Sequence, residues 1–143
     1  MSFKVDFFDL KKVNSIIKKD LNSSYKRVFN SGNFILGKEV ELFEEEFARY
    51  CGVKFSIGVS NGLDALSLLL KVNNIGFGDE VIVPSNTFIA TWMSVSAVGA
   101  KPIPVEPEML SYNINPNEIA NNITKKTKAI IAVHLYGQCA HMD

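Results

Sequence analysis

A short polar turn, Ser60-Asn61-Gly62, separates a strand-like apolar segment from a helix-like one. Ser and Asn are favoured at the start of a helix, where the leading backbone N–H groups have no helical partner and the helix dipole is positive. Such a turn can bind phosphate, and a glycine lets the ligand approach the backbone closely. Asp64 is expected to cap the helix rather than to contact a phosphate, because two anions repel each other. The sequence matches neither a P-loop nor a dinucleotide-binding glycine motif. The alternative is therefore an ordinary turn between a strand and a helix that binds no ligand.

A second candidate is the loop that carries Phe88, after the strand-like run Val81-Ile82-Val83. In open α/β sheets, ligands lie beyond the carboxyl ends of the strands, so this loop and the Gly62 turn could face one pocket. Phe88 would then stack on a flat cofactor ring. Taken alone, the residue pattern favours a core position for Phe88.

A third candidate follows the last predicted strand, where His134 and Tyr136 could make polar contacts with a substrate. A histidine at this position can equally be structural. The spacing of His134, Cys139 and His141 matches no common zinc pattern, so no metal site is expected.

Two kinds of periodicity predict the elements that position these residues. Helices are predicted over 8–28, from about 40 to Gly52, and over 62–72, 87–98 and 115–123; strands are predicted over 55–60, 80–85, 101–106 and 128–135. Strands that alternate with helices indicate an α/β fold with a mostly parallel sheet covered on both faces. We expect an N-terminal helical segment over 1–54 and an α/β domain over 55–143. Because no helix follows the last strand, the domain is expected to be truncated.

Composition excludes several classes of partner. The 143 residues carry 15 Lys plus Arg and 15 Asp plus Glu, so no overall field attracts nucleic acid or an anionic membrane. Neither a signal peptide nor an apolar run of roughly 18 residues is found, which favours the cytoplasm. Cys51 and Cys139 are expected to be buried thiols rather than a disulfide pair.

Seven short segments, taken in order, resemble the DegT/DnrJ/EryC1/StrS family of pyridoxal-phosphate (PLP) nucleotide-sugar aminotransferases. They are FILG (34–37), FEEEFA (43–48), VSNG (59–62), GDEVIVP (78–84), NTFIAT (86–91), AVGA (97–100) and VHLYG (133–137). The resemblance implies the N-terminal portion of the large domain of a type I aminotransferase fold. It also implies a homodimer with shared active sites.

The same resemblance assigns roles to individual residues. It implies that the amides of Gly62 and Leu63, with Asn61 beside them, bind the PLP phosphate. Phe88 would stack on the pyridine ring. Phe34, His134 and Tyr136 become candidates for contact with the substrate.

Within the family, the segments VEP (105–107) and YNINP (112–116) are most similar to enzymes that aminate C3 of a dTDP-3-keto-6-deoxyhexose, with glutamate as the usual amino donor. Such enzymes belong to deoxyamino sugar biosynthesis, including that of lipopolysaccharide O-antigen. The family's Schiff-base lysine comes later than Asp143, so this chain alone is expected to be inactive. The alternatives are a PLP-dependent sugar dehydratase, a non-catalytic binding or regulatory remnant, and a plain nucleotide-binding module.

Overall fold

The computed structural model describes residues 7–143, which fall into two compact units. The first unit extends to Gly58 and the second runs from Val59 to Asp143. The first unit is helical, whereas the second contains a sheet with helices. Each unit is described by itself.

Two helices make up the first unit, α1 (Leu10–Ser31) and α2 (Lys38–Cys51). Asp9 caps α1 by accepting a hydrogen bond from the backbone N–H of Lys12 at 3.1 Å. Gly32 and Gly52 end the two helices with φ of 67° each, in the left-handed conformation that glycine adopts without steric cost. Both predicted helices are confirmed, and so is the predicted end of the second helix at Gly52.

An ion pair joins these helices, because the Arg27 guanidinium donates to both carboxylate oxygens of Glu39, at 2.7 and 3.0 Å. That hydrogen-bonded pair lowers the pKa of the Glu39 carboxyl below its ordinary value. Glu44 also has a specific partner, since its carboxylate accepts a 2.6 Å hydrogen bond from the backbone N–H of Gly58. Glu44 therefore binds a specific backbone group rather than only facing solvent.

The strand predicted over 55–60 is not observed. This segment joins no ladder among residues 7–143, and the Gly58 N–H bonds to a side chain instead of to a neighbouring strand. A β-rich sequence becomes a strand only where another strand satisfies its backbone groups. Sequence composition could not reveal whether that partner was present.

In the second unit, α3 (Gly62–Val72) precedes a parallel sheet of three strands: β1 (Glu80–Pro84), β2 (Lys101–Val105) and β3 (Thr127–Ile130). The strand order is β2-β1-β3, so β1 is central. Ile82 pairs with Ile103 on one side and with Ile130 on the other. The crossovers contain α4 (Ala90–Ala97) and α5 (Pro116–Asn122). The predicted α/β class and parallel sheet are confirmed.

The side chains of β1 alternate between two apolar clusters. Val81 and Val83 pack with Leu70 of α3 and Val95 of α4 on one face of the sheet. Ile82 packs on the other face with residues that include Val105, Ile114 and, partly buried, Ile119 of α5. Helices on both faces explain why β1 reads as a continuous apolar run rather than as an alternating one.

Two predicted elements are shorter than the sequence suggested. The helix predicted from residue 87 begins at Ala90, which leaves Phe88 in a loop. The last strand ends at Ile130 rather than near Leu135, and residues 135–137 form a 3-10 turn. The backbone N–H of Leu135 donates to the side chain of Asn113 instead of to a strand.

Both cysteines are exposed, which contradicts the expectation that they are buried. Cys51 lies in the last turn of α2, and Cys139 follows the 3-10 turn, so neither belongs to a core cluster. No helix within residues 7–143 is long and apolar enough to cross a membrane.

Candidate functional site

The start of α3 is organised by three polar side chains. Asn61 caps the helix by accepting a 2.9 Å hydrogen bond from the backbone N–H of Asp64. The Asp64 carboxylate accepts hydrogen bonds from the Ser60 hydroxyl and from the Asn61 amide, the latter at 3.1 Å. Asp64 therefore turns back towards the cap residues, where it bonds their side chains rather than a backbone N–H.

This capping arrangement leaves two backbone donors free. The Asp64 N–H is used by the Asn61 side chain, and the Ala65 N–H bonds to the Asn61 carbonyl at 3.1 Å. Within residues 7–143, the N–H groups of Gly62 and Leu63 find no acceptor. Two adjacent free donors at the positive end of a helix can bind an anion.

The backbone conformation at position 62 does not require a glycine. Gly62 has no positive φ, and a Cβ built there would meet no atom of residues 7–143 within 4 Å. The missing side chain therefore leaves open space beside the backbone at the start of α3. A ligand oxygen can approach the backbone at that point without displacing protein atoms.

The Gly62 turn and the Phe88 loop line one cleft of about 760 Å³. Its other walls come from apolar residues of α3, the loop and α4, which are Leu63, Ala65, Leu66, Ile89, Ala90 and Met93. Asn61 completes the lining. The predicted meeting of the two loops is therefore present in the structure.

Phe88 is 81% exposed, so it does not form part of the core clusters of this chain. Its loop is fixed at both ends. At the start, the Ser85 N–H donates to the carbonyl of Val105 at 2.9 Å. At the other end, the Trp92 indole donates to the Pro84 carbonyl at 3.1 Å. An exposed aromatic ring on an anchored loop can cover the face of a flat ligand.

The cleft carries little fixed positive charge of its own. None of its lining residues in the described part of the chain is Lys, Arg or His. An anion bound there would depend on the two free N–H groups and on the helix dipole. The cleft thus has two free backbone donors on one side and apolar side chains along the rest of its wall.

The three residues predicted to contact a substrate do not line this cleft. Phe34 belongs to the first unit, where it is 68% exposed. In the second unit, His134 Nδ1 accepts a 3.0 Å hydrogen bond from the Ala140 N–H. Tyr136 is exposed and its ring lies edge-on to that of Tyr112.

Two asparagines that were not among the predicted site residues link the loops at the carboxyl ends of the strands. Asn86 donates to the carbonyl of Tyr112 at 3.0 Å, and the buried Asn113 bonds to both ends of the segment from Leu135 to Gln138. The one available signal was the residue type, since Asn is common in turns. No group of three or more potential metal ligands occurs in residues 7–143.

Comparison with known proteins identifies relatives over most of the chain. The family model described as the DegT/DnrJ/EryC1/StrS aminotransferase family matches residues 15–143. A dTDP-3-amino-3,6-dideoxy-alpha-D-galactopyranose transaminase from Aneurinibacillus thermoaerophilus is 52% identical over 97% of this chain. A dTDP-3-amino-3,4,6-trideoxy-alpha-D-glucose transaminase from Streptomyces venezuelae is 46% identical over 98%. The chain spans 38% and 37% of the lengths of these two relatives.

Solved structures agree with the sequence matches. DesV from S. venezuelae, in complex with a ketimine intermediate, superposes with a TM-score of 0.93 at 45% identity, over 99% of this chain and 38% of that one. NtdA from Bacillus subtilis, with bound cofactor PMP, gives a TM-score of 0.88 at 35% identity, over 97% of this chain and 32% of that one. The predicted type I aminotransferase architecture is confirmed over the matched part.

Proposed function

This chain belongs to the DegT/DnrJ/EryC1/StrS aminotransferase family, and from that membership we propose that the protein transfers an amino group to a nucleotide-linked keto sugar with PLP as cofactor. The cleft between the Gly62 turn and the Phe88 loop is the proposed cofactor site. Asn61, Gly62, Leu63 and Phe88 are the residues of this chain that hold the cofactor.

One observation carries this proposal: two free backbone donors and an exposed aromatic ring line the same cleft. PLP is a flat ring that bears a phosphate, so it needs an anion site and an apolar surface a short distance apart. The N–H groups of Gly62 and Leu63 would donate to the phosphate, while Asn61 keeps the helix end in place. The open space beside Gly62 would admit the phosphate.

Phe88 would lie against the ring of the cofactor and orient it. Because the loop is anchored by the hydrogen bonds of Trp92 and Ser85, little backbone freedom is lost there on binding. When bound, PLP supplies the electron sink for amine transfer, and the protein supplies orientation and electrostatics.

Amine transfer with PLP also needs a lysine that bonds to the cofactor and shuttles a proton. Among the described residues, none of those that line the cleft is a lysine. We place that lysine in the part of the relatives that this chain does not span. We therefore expect the 143 residues alone to bind weakly and to transfer no amine.

The relatives' names support a narrower substrate class. Two of them are transaminases of dTDP-3-amino sugars, at 52% and 46% identity. We propose a dTDP-3-keto-6-deoxyhexose as acceptor and glutamate as donor, with His134, Tyr136 and Phe34 as candidates for substrate contact. We further propose that the protein is a cytoplasmic homodimer with shared active sites. Its role would be in the biosynthesis of deoxyamino sugars or of O-antigen.

The test uses the protein at its native length, with PLP, glutamate and dTDP-3-keto-6-deoxyglucose. We expect stoichiometric formation of 2-oxoglutarate and of a dTDP-amino sugar, both measured by mass spectrometry, and no product when PLP is removed. Amination of UDP-linked or GDP-linked keto sugars in preference to the dTDP sugar would overturn the substrate assignment. Loss of water from the sugar without amine incorporation would identify a dehydratase instead.

A further inference from the structure

Two tyrosines with a left-handed backbone lie side by side in the second unit. Tyr112 has φ of 58° and Tyr136 has φ of 53°. Their ring centroids are 6.3 Å apart and the ring planes meet at 79°. Bulky residues rarely adopt this conformation, and they keep it only where the surrounding structure enforces it.

Around Tyr136, the backbone is held by the side chain of Asn113, which is only 1% exposed. Its Oδ1 accepts a 2.8 Å hydrogen bond from the Leu135 N–H, and its Nδ2 donates to the Gln138 carbonyl at 3.1 Å. These two bonds bracket Tyr136. Tyr112 lies in a turn that is closed by backbone hydrogen bonds of its own. Because Asn113 belongs to that turn, its buried amide links the turn to the Tyr136 segment.

The same region is linked to the Phe88 loop. Asn86, two residues before Phe88, donates from Nδ2 to the Tyr112 carbonyl at 3.0 Å. The three loops that follow β1, β2 and β3 are therefore joined to one another by asparagine side chains. In a parallel sheet these loops share one edge, which is where ligands bind.

Both tyrosine rings remain accessible, with Tyr112 54% and Tyr136 83% exposed. Edge-to-face packing leaves ring surface free, and a tyrosine offers an apolar face together with a hydroxyl group. This combination suits a planar nucleobase that also carries carbonyl and N–H groups.

We propose that Asn113 is a positioning residue for the substrate, because its buried amide holds Tyr112 and Tyr136 together as an aromatic surface for the base of the nucleotide-linked sugar. The inference rests on the proposed function, and it assigns the nucleotide base of the substrate to the surface that Tyr112 and Tyr136 form. The hydrogen bonds of Asn113 set the position of the surface, and the tyrosines make the contact.

The experiment measures binding of dTDP by calorimetry to the protein at its native length, with PLP binding followed by absorbance on the same samples. Tyr136→Ala and Asn113→Ala are each expected to raise the Kd for dTDP about tenfold, the change that loss of one well-formed contact gives. The double variant should bind little worse than either single one, because both act on one surface. The affinity for PLP should stay within about twofold of the wild-type value.

The matched control is Ser94→Ala, which also removes a buried hydrogen-bonded side chain, in this case one bonded to the Thr91 carbonyl. It should lower the melting temperature and leave the Kd for dTDP unchanged. If Asn113→Ala behaved in the same way as this control, Asn113 would be purely structural and the inference would be wrong.

Tyr112→Ala and Tyr136→Ala decide the matter if Asn113→Ala does not fold, since exposed rings can be removed with little effect on the core. Unchanged dTDP affinity in both would overturn the inference, as would a wild-type protein that does not bind dTDP. In either case, retained PLP binding and amine transfer would leave the proposed function standing. Loss of PLP binding and of transfer in the wild type would instead refute the proposed function.

Discussion

Gly62 and Phe88 line the same cleft although they come from different parts of the second unit, one at the start of α3 and the other after β1. Gly62 offers a backbone donor with open space in front of it, and Phe88 offers an exposed ring. The two residues would hold different parts of one ligand. Their substitutions should therefore affect cofactor binding with little effect on the apo protein.

Gly62→Ala provides the most direct separation of binding from folding. Because Gly62 is helical and a Cβ meets no protein atom, the change should stabilise the apo protein by about 0.4–1 kcal/mol. The same Cβ occupies space that the phosphate needs, so PLP affinity should fall by about tenfold or more, and further for Gly62→Val. Melting temperature and PLP titration of the native-length protein measure the two effects.

Ser67→Ala is the control for the two Gly62 variants. Ser67 lies on α3 outside the cleft, and within residues 7–143 its hydroxyl bonds only to the Leu63 carbonyl. It should change neither PLP affinity nor the effect of Gly62→Ala. Normal PLP affinity in both glycine variants would exclude the Gly62 turn as the phosphate site.

Phe88→Ala tests ring stacking against a core role. Truncation of a buried Phe costs about 3–5 kcal/mol, but Phe88 is 81% exposed, so the apo protein should lose far less. PLP affinity should fall by about tenfold, with Phe88→Tyr retaining most of it. Ile82→Ala, at a fully buried position, should show the reverse pattern: a loss of about 2–5 kcal/mol in stability and near-normal affinity per folded molecule.

Asn61→Ala removes the acceptor for the Asp64 N–H, and we expect a loss of about 1 kcal/mol in the free energy of unfolding. Asn61→Ser keeps a capping oxygen and should recover most of that loss. PLP binding should weaken in the Ala variant, because the helix end that presents the Gly62 and Leu63 donors becomes less ordered. Equal stability of the Ala and Ser variants would show that the cap contributes nothing.

Most of the fold could be predicted from the sequence, and the reasons for the exceptions are physical. Helix boundaries at Gly32, Gly52 and Asn61 follow from local chemistry, since caps and glycine stops depend on neighbouring residues only. The strand predicted over 55–60 was wrong, because a strand forms only where a distant segment pairs with it. The role of Asn113 was likewise invisible, because its bonds reach residues more than twenty positions away.

The candidate site was also predictable only in part. The residue types of 60–62 predicted the capped turn at the start of α3. The residue pattern alone favoured a core position for Phe88, but α4 starts later than predicted and leaves Phe88 in an exposed loop. The hydrogen bond that Glu44 accepts from the Gly58 N–H could not be predicted either, because nothing in the helical period indicates a donor fourteen positions further on.

The Arg27 and Glu39 pair makes stability depend on pH in the first unit. The hydrogen bonds from Arg27 lower the pKa of the Glu39 carboxyl in the folded state. Its stabilising contribution is therefore complete above the ordinary carboxyl pKa and is lost as the pH falls through the lower folded value. The effect is small because both groups are exposed to solvent.

An NMR titration of Glu39 checks that prediction, and Arg27→Gln should bring the pKa of Glu39 back towards its ordinary value. Arg49→Gln removes a charge from α2 without touching Glu39 and should leave its titration unchanged. A Glu39 carboxyl that titrates identically with and without Arg27 would show that the pair does not persist in solution.

The central position of β1 has a consequence for hydrogen–deuterium exchange. Val81, Ile82 and Val83 have no exposed surface, and their strand has a bonded neighbour on each side. Amides in such a strand exchange only when the whole unit opens, so they mark its slowest-exchanging region. Phe88 lies four residues beyond the end of that strand, and its exposed ring can change rotamer on a fast timescale while the amides of the strand stay protected.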